Sequence, residues 1–483
     1  ITYKIYIWPI YLTPLRKIPG PPSDSLFFRN IKTLMEEEVN VVYINPQPEL
    51  TKKYGNIVKY YEMFNQPALL ITDITIVQDV LINNTYDYVK PINIISDAVA
   101  FIGRGLALSE GEDHKRQRKM MNPAFTHSNI KKMLPTITQM SSKLISVIED
   151  KINLGESNII LTPYISQATL DIIGLVRFNY EFNSLKSPNE LADAYKTLIS
   201  PPTILHIIYS RLSYYFPFIR SIPIKINKSF INACAVIERE LKNLVKRKYK
   251  EAEIGELKDD LLSVLIKLNK TLPIEEKLTN EELKYQIMTF LLARHETTNI
   301  LTNWALYLLS QHPHVQDLLR EELVKAFPDK SNFNLNSLEF LNCVVKETLR
   351  LHSPAVMIRR TNIKDKVFGN YLIPKNTIIM ISISGLHKSP EIWGPTAAEF
   401  DPKRWLDSTL TENVSNLNFL PFSAGARSCI GNKLALVEFK VILSILIRNF
   451  VFQITEGSHV KKRNFVSSKP YSHFEFTISR VES

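Results

Sequence analysis

The longest amphipathic stretch of the chain predicts a helix from about Leu283 to Gln311, because its apolar positions recur with the helical period. Thr279 and Glu282 precede it with the spacing of a capping box, in which a hydroxyl and a carboxylate satisfy the first free backbone N–H groups. Pro313 follows the last turn and ends the helix. The pattern therefore predicts a long helix with defined ends.

The rest of the chain predicts further helices and a few short strands. Helices are predicted over Leu341–Leu351 and Leu434–Leu446, which contain neither glycine nor proline. Short strands are predicted at Ile57–Tyr61, Ala68–Thr72 and Thr377–Ile383. No internal repeat and no low-complexity tract interrupts this pattern. We therefore expect a mainly α-helical protein with small β-sheets.

A glycine-bracketed loop precedes the last predicted helix and contains Cys429; it reads FSAGARSCIG over residues 422–431. A cysteine thiolate that ligates haem iron pushes electron density onto the metal and favours O–O cleavage. Gly425 permits a backbone bend that a Cβ would obstruct, and Gly431 lets the chain pass close beneath a flat macrocycle. Arg427 has the reach to bind a haem propionate. A lone cysteine in a turn would be explained better as a buried free thiol.

The spacing F-x-x-G-x-R-x-C-x-G reverses that preference, because it resembles the haem-binding signature of the cytochromes P450. The resemblance implies that Cys429 is the metal ligand. It implies that the other signature residues, Phe422, Gly425, Arg427 and Gly431, contact the cofactor.

The resemblance extends over essentially the whole chain from Pro19 onward and implies one interleaved domain. The 483 residues alone would favour about three domains, but in this family the positions near 114, 294, 360 and 429 converge on one buried haem. We expect a catalytic domain over residues 23–483. Residues 1–22 are expected to be a membrane-proximal segment with a proline hinge, and the membrane anchor of microsomal members is expected to be missing from this chain.

A second match lies in the helix predicted over Leu341–Leu351. Glu347 and Arg350 are spaced i, i+3 on one helical face, which alone indicates only an exposed ion pair worth a few tenths of a kcal/mol. Arg404 lies in the segment FDPKRW, residues 400–405, which resembles the family's aromatic-Pro-Arg segment. The resemblance implies a buried structural triad of these three residues that holds the loop leading to Cys429.

Further basic residues are predicted to bind the haem propionates. His114 and Arg118 are spaced i, i+4 and resemble the family's helix along one haem edge, so both are expected to reach the same propionate. Many members have Trp at the position of His114, and a histidine there resembles fungal members. Arg360 is a further propionate candidate, with Arg359 as its rival.

The segment ARHETT, residues 293–298, resembles the family's oxygen-activation motif. Ala293 and Thr297 are spaced i, i+4 and are expected to face the iron. The resemblance implies that Glu296 and Thr297 are the catalytic pair that relays protons to bound oxygen. A Glu-Thr-Thr triplet without this context would be a solvent-facing stretch of helix.

Arg294 departs from the motif, because the family usually has a glycine or an alanine there. A small residue leaves room for the helix to bulge toward the haem. The arginine either extends away from the haem or places a cation beside the oxygen site as a specificity residue. We favour the first arrangement, because an unpaired buried charge is costly.

The chain carries a net charge of +11. No nucleic-acid-binding motif accompanies it, so nucleic acid is not an expected partner. Instead the basic side chains are expected to flank the thiolate side, where the family docks its acidic flavoprotein reductase; they are Lys115, Arg116, Lys119, Lys433 and Lys440. The three cysteines are too few for a disulfide framework and fit a reducing compartment.

The sequence thus predicts a haem-thiolate monooxygenase of the cytochrome P450 family. We expect haem b (iron protoporphyrin IX) as cofactor and O2 as co-substrate. Electrons are expected from NADPH through NADPH–cytochrome P450 reductase, with cytochrome b5 as a further donor. The apolar stretches at 92–101, 204–208 and 355–358 predict a lipophilic small-molecule substrate.

The same resemblance, to microsomal members, predicts the cytoplasmic face of the endoplasmic reticulum membrane. The aromatic and basic stretch 204–224 suits a membrane interface, although buried aromatics explain it equally well. Two other functions stay open because of Arg294. One is a haem-thiolate enzyme that uses peroxide or rearranges an oxidised lipid, and the other is a catalytically silent haem and lipid carrier.

Overall fold

The computed structural model of the chain describes residues 2–22, 30, 48–62, 65–91, 102–156, 158–185, 190–199, 209–210, 212–213, 216–222, 225–258, 260–327, 335, 337–412, 414–455, 462–464, 468–470 and 474–481. The predicted stretches at 92–101 and 204–208 lie outside these residues, and the stretch 204–224 is described only in part. Over the described ranges the protein is mostly helical with small sheets. The predicted fold class is therefore confirmed.

The described α-helices vary from single turns to more than eight turns. They are α1 Pro48–Tyr54, α2 Ile74–Gln78, α3 Gly111–Met121, α4 His127–Asn153, α5 Thr162–Phe178, α6 Glu190–Ile199, α7 Lys225–Glu253, α8 Leu261–Thr271, α9 Asn280–Gln311, α10 Pro313–Ala326, α11 Glu339–Leu351, α12 Ile383–His387, α13 Pro390–Trp393, α14 Ser408–Thr411 and α15 Asn432–Asn449.

The described strands are short. They are β1 Ile57–Tyr61, β2 Pro67–Ile71, β3 Tyr88–Val89, β4 Asn158–Ile160, β5 Met357–Asn362, β6 Lys366–Phe368, β7 Tyr371–Ile373, β8 Ile378–Ser382, β9 Phe450–Ile454, β10 Lys462–Asn464, β11 Ser468–Pro470 and β12 Glu475–Arg480. The largest sheet has the order β1-β2-β8-β5-β3. Its β2–β8 pair is parallel and its other pairs are antiparallel.

The elements predicted from the hydrophobic pattern are present. Helix α9 begins at Asn280 and has the predicted capping box, in which Thr279 and Glu282 bond each other's backbone N–H groups. Helices α11 and α15 cover the other two predicted helical stretches. Strands β1, β2 and β8 lie within one residue of the predicted bounds at each end.

Helix α9 runs through two buried apolar clusters. Its first half contributes Leu283 and Phe290 to a cluster with α3, α5, α7 and α8. Its second half contributes Trp304 to a larger cluster with α4, α10, α11 and α15. Between these halves the burial is interrupted: Ala293 is exposed and Thr297 only partly buried. The middle of a core helix therefore borders open space.

The N-terminal segment packs onto the large sheet. Leu15 and Ile18 are buried, and the Pro19 carbonyl accepts a hydrogen bond of 2.8 Å from the Lys59 N–H of β1. A Cβ on Gly20 would lie 1.8 Å from the Lys59 oxygen, so only glycine permits this approach. No helix among the described residues is long and apolar enough to cross a membrane. The predicted boundary at residue 22 stays a prediction.

Candidate active site

The loop around Cys429 is fixed by its own backbone. A short 3₁₀ turn covers Gly425–Arg427, and helix α15 begins three residues after the cysteine. The Cys429 N–H donates to the Phe422 carbonyl over 2.9 Å. Cys429 is exposed and forms no disulfide, so its sulfur borders open space, as Ala293 does.

A side chain would clash with the protein at only one of the two glycines of this loop. Gly425 has φ +71°, and a Cβ there would lie 1.9 Å from the Leu81 carbonyl oxygen. The protein itself therefore requires glycine at 425. At Gly431 a Cβ would meet Arg177 and Phe125 only at 3.7 and 3.8 Å, which is ordinary contact. Close passage beneath a macrocycle remains the predicted reason for glycine at 431.

Several basic side chains gather beside this loop, and we call them the basic cluster. Helix α3, strand β5, the residue after β3 and the cysteine loop each contribute to it. Its members are Lys90, His114, Arg118, Arg360 and Arg427.

Arg427 is buried with most of its hydrogen-bonding capacity unused. Its side chain is 4% exposed and forms an ion pair with Glu110. Its Nη2 faces Glu110, whereas its Nε and Nη1 have no hydrogen-bond partner among the described residues. Burial opposes ionisation of Glu110, but the Arg427 hydrogen bond and the Lys90 charge hold its pKa below the usual value. One carboxylate thus faces several cations.

Arg360 and its neighbour Arg359 extend from opposite faces of β5, as successive strand residues do. Arg359 forms an ion pair of 3.3 Å with Glu62. Arg360 lies with the basic cluster, where burial and then the charge of Arg427 lower its pKa to about 10. Its Nη1 donates to the Arg359 carbonyl over 2.7 Å. The structure therefore places Arg360, and not Arg359, beside the cysteine loop.

His114 is 2% exposed, and its Nδ1 lies 3.1 Å from the hydroxyl of Tyr86. Burial, followed by the charges of Lys90 and Arg427, lowers its pKa to about 4, so the ring is neutral at pH 7. With the Tyr86 hydroxyl as donor to Nδ1, the ring proton lies on Nε2. This nitrogen then remains to donate to an anionic group.

Arg118 is directed at the cysteine loop rather than alongside His114. Its Nη1 donates to the Ser428 carbonyl over 2.6 Å, and its Nε donates to Asn122 over 3.0 Å. The described bonds thus fix Arg118 beside Cys429. That Arg118 and His114 share one propionate stays a prediction.

Sequence reasoning missed Lys90, Glu110 and Tyr86. The Lys90 N–H and Nζ donate to Glu110 over 2.9 and 3.3 Å, and burial lowers the pKa of Lys90 to about 7. The register that pairs Val89 with Thr361 brings Lys90 beside Arg360. No spacing in the sequence relates these positions, because tertiary contacts join Lys90 to Glu110 and Tyr86 to His114.

The predicted oxygen-side residues lie in the interrupted part of α9. The Thr297 hydroxyl donates to the Ala293 carbonyl one turn earlier over 2.8 Å. Glu296 is partly buried beside it. The backbone of Arg294 is helical, but its side chain lies outside what the structure describes. The two predicted positions of its guanidinium therefore both stay predictions.

The Glu347 carboxylate is the centre of a buried network. Glu347 and Arg350 side chains are 0% exposed and Arg404 is 2% exposed. Arg350 donates to both carboxylate oxygens over 2.8 and 2.9 Å, and Arg404 donates over 3.3 Å. The Asp401 N–H and the Trp405 indole N–H add bonds of 3.1 and 3.0 Å. The structure thus brings the predicted triad together and adds Trp405.

The two arginines of this network also hold the chain that leads toward the cysteine loop. Arg350 donates to backbone carbonyls at His387, Ala397 and Glu399 over 2.5–3.0 Å. Arg404 donates to those of Trp393 and Thr396 over 3.0 and 2.8 Å. Each buried charge is therefore matched by protein groups.

The predicted docking face needs correction at Lys440. This residue is buried, because the inner side of α15 packs into the core, and burial lowers its pKa. Arg116 is partly buried and pairs with Glu282 and the Lys277 carbonyl. Lys115 and Lys119 are exposed on the surface and pair with Glu112 and Glu276. They border a depression of about 440 Å³ that Tyr86, Arg118, Asn122, Gly425 and Ala426 also line.

A family model described as cytochrome P450 matches residues 19–474 of the chain. The chain belongs to the cytochrome P450 family. Cytochrome P450 monooxygenase 128 of Postia placenta is 33% identical over 95% of this chain and 91% of its own length. Cytochrome P450 monooxygenase FUM15 of Gibberella moniliformis is 29% identical over 97% and 88%. A ganoderic acid synthetase of Ganoderma lucidum is 29% identical over 92% and 89%.

These matches confirm the predicted family, its resemblance to fungal members and its enzyme class, an oxidoreductase of the cytochrome P450 monooxygenase kind. Membership implies haem iron, O2, a redox partner and a small-molecule substrate. The described residues fit a haem. The unused donors of Arg427 suit a propionate, and the exposed Cys429 and Ala293 both border open space.

Proposed function

We propose that the protein is a haem-thiolate monooxygenase that inserts one oxygen atom from O2 into a lipophilic substrate, in a reaction of the hydroxylation type. The observation that carries this proposal is the buried, incompletely paired basic cluster beside the loop of Cys429. Several buried cations that share one carboxylate, Glu110, are costly, so their retention indicates a further anionic group that belongs among them. The two propionates of haem b match that charge.

The residues present would hold haem b from several sides. Cys429 would ligate the iron, and Arg427, Arg360 and His114 would bind propionates through N–H donors. The open middle of α9 around Ala293 would cover the other face of the macrocycle. A haem with a thiolate ligand, when bound, supplies the chemistry that cleaves dioxygen.

The chain's own part in the reaction is to move protons at α9. In this structure the Thr297 hydroxyl proton is held by the Ala293 carbonyl over 2.8 Å. Rotation about the Thr297 side chain would turn this proton toward the open space. Glu296, in the preceding position, is the carboxyl group that would replace the proton from solvent.

Electrons are proposed to come from NADPH through NADPH–cytochrome P450 reductase, with cytochrome b5 as a further donor. The exposed Lys115 and Lys119 border the surface depression that reaches Gly425 of the cysteine loop. An acidic partner would be attracted to this surface.

The proposed location is the cytoplasmic face of the endoplasmic reticulum membrane. Exposed aromatic side chains support it at two places, Tyr3 and Tyr11 in the N-terminal segment and Phe216 and Phe218 in the partly described stretch. Aromatic residues of this kind favour the membrane–water interface. The same location would give a lipophilic substrate access from the membrane.

Product analysis distinguishes this proposal from the two alternatives. The haem-loaded protein would be incubated with NADPH, reductase and isotopically labelled O2 over a panel of fatty acids, sterols and aromatics. We expect a product with one labelled oxygen atom, detected by mass spectrometry and dependent on reductase. Product with hydrogen peroxide but not with reductase would favour the peroxide or isomerase function. Normal ligand spectra without product under any oxidant would favour the silent carrier.

Arg294 adds a second comparison to this experiment. If its guanidinium lies in the pocket, a fatty acid should bind more tightly than its methyl ester, and Arg294→Gly should abolish the difference. If the side chain extends outward, acid and ester should bind alike in the unmodified protein. Binding is read from the change in the haem absorption spectrum.

A further inference from the structure

His387 is a fully buried histidine at the end of α12, and the proposed chemistry does not use it. Its Nε2 accepts a hydrogen bond of 2.8 Å from the Leu420 N–H. Its Nδ1 lies 3.1 Å from the Arg350 carbonyl oxygen. One nitrogen must accept and the other must donate, so the ring is neutral with its proton on Nδ1.

The Arg350 side of this ring is rigid. The Arg350 guanidinium is bound to Glu347 and also donates to the carbonyl of His387 over 2.7 Å. His387 is therefore held by the same arginine residue through its main chain and through its ring. Because Glu347 and Arg350 are fully buried, the position of the ring follows that of the buried network.

The Leu420 side begins the segment that carries the cysteine. Leu420 is 0% exposed, and its carbonyl accepts the Ser423 N–H over 3.0 Å. The Phe422 carbonyl then accepts the Cys429 N–H over 2.9 Å. A continuous set of bonds therefore runs from the buried network through one imidazole to the cysteine loop.

We infer that His387 is a positioning residue for the Cys429 sulfur, because its ring fixes the start of the cysteine loop relative to the Glu347 network. This inference rests on the proposed role of Cys429 as the haem ligand. The Phe419 ring lies against the imidazole, with 5.2 Å between the ring centroids. The ring thus keeps its orientation through packing as well as through both nitrogens.

Two substitutions separate the hydrogen bonds from the packing. His387→Phe keeps a ring and removes both nitrogens, whereas His387→Gln keeps one acceptor and one donor on a side chain of similar reach. Gln316→Leu is the matched control. Gln316 is 2% exposed and exchanges bonds of 3.0 Å with both the N–H and the carbonyl of Phe452, in the middle of β9.

The readout is the absorption spectrum of the reduced, carbon monoxide-bound protein, which distinguishes thiolate-ligated haem from other ligation. We expect His387→Phe to bind haem but to lose the thiolate form about tenfold faster than the unmodified protein, as the loss of one net hydrogen bond implies. His387→Gln should restore most of the lifetime. Gln316→Leu should unfold at a lower temperature but keep the thiolate form until it unfolds.

The inference is overturned if His387→Phe keeps the thiolate form as long as Gln316→Leu does, or if His387→Gln recovers none of the loss. Where His387→Phe does not accumulate, His387→Asn, whose shorter side chain does not reach Leu420, replaces it in the same comparison. Failure of the proposed function would look different. In that case the unmodified protein would never show the thiolate spectrum.

Discussion

Two buried groups of charged residues lie near the cysteine loop. The protein supplies hydrogen-bond partners for all charged groups in only one of them. Around Glu347 each carboxylate oxygen and each arginine is matched by donors or acceptors of the chain. In the basic cluster, by contrast, Arg427 is nearly as deeply buried, but only its Nη2 is paired, with Glu110, and its Nε and Nη1 find no hydrogen-bond partner among the described residues. A completed network stabilises the fold, whereas an incomplete one is a receptor for an anion.

The largest expected effect is on the completed network. Arg350→Ala leaves Glu347 buried without its main partner, which costs about 3–5 kcal/mol, so the variant should fail to accumulate as folded protein. Arg239→Ala is the control, because Arg239 is an exposed arginine paired with Glu190, and exposed pairs contribute about 0–1 kcal/mol. Thermal unfolding of both variants measures the difference. Equal stability would show that the Glu347 network is not structural.

The next effect contrasts two neighbouring arginines of β5, one in the basic cluster and one paired with Glu62. Arg360→Leu removes a partly buried charge whose described hydrogen bond goes to the Arg359 carbonyl and which lies beside the charge of Arg427. Apo-protein stability should therefore rise or stay unchanged, while haem affinity falls by about ten- to a hundredfold, the loss of one charge-assisted hydrogen bond. Arg359→Leu should lower apo-protein stability and leave haem affinity unchanged, because it leaves Glu62 buried without its ion pair. Haem titration and chemical unfolding of the apo-protein measure both quantities. Identical behaviour of the two variants would contradict the assignment of their faces.

A smaller effect concerns pH and Lys90. Its pKa in the apo-protein is about 7, lowered by burial and by Arg427 and Arg360. Above pH 7 the unfolded chain binds a proton that folded Lys90 lacks, so apo-protein stability should rise with pH between about 7 and 10. Propionates beside Lys90 would raise its pKa, so haem binding should take up a proton and weaken as the pH rises above 7.

Replacing Lys90 with Met should remove this pH dependence of haem affinity. Lys388→Met is the control, because Lys388 is also a partly buried lysine whose pKa is lowered by burial, but it lies near Arg350 and Glu49. Haem affinity measured from pH 6 to pH 9 tests the expectation. A pH dependence that persists in Lys90→Met would mean that another group takes up the proton.

The smallest effect is expected at the surface. Lys115→Glu with Lys119→Glu should slow reduction by the reductase and flatten the dependence of its rate on salt, while leaving haem affinity and stability unchanged. Lys375→Glu, which reverses one charge on an exposed turn after β7, is the control for each single substitution and should have no effect. Stopped-flow reduction at several salt concentrations makes the measurement. An equal loss in all three substitutions would point away from docking.

Local patterns predicted the completed network better than the incomplete one. The Glu347–Arg350 spacing lies within one helix, and the capping box of α9 is a contact between near neighbours in the sequence. Lys90 follows β3 and Glu110 precedes α3, and no local pattern predicts that they bind each other. Lys440 was wrongly expected at the surface, because a helical sequence does not show which of its lysines face a neighbouring element. No sequence pattern indicated the role of His387, since both partners of its ring are backbone groups.

The central claim is that Cys429 and the basic cluster form one haem-thiolate site. The most direct test is the absorption spectrum of the reduced, carbon monoxide-bound protein in three cysteine variants. Cys429→His should lose the thiolate band, whereas Cys234→Ser and Cys343→Ser should keep it, since Cys343 is a buried core residue on α11. A thiolate band that survives in Cys429→His would contradict the account.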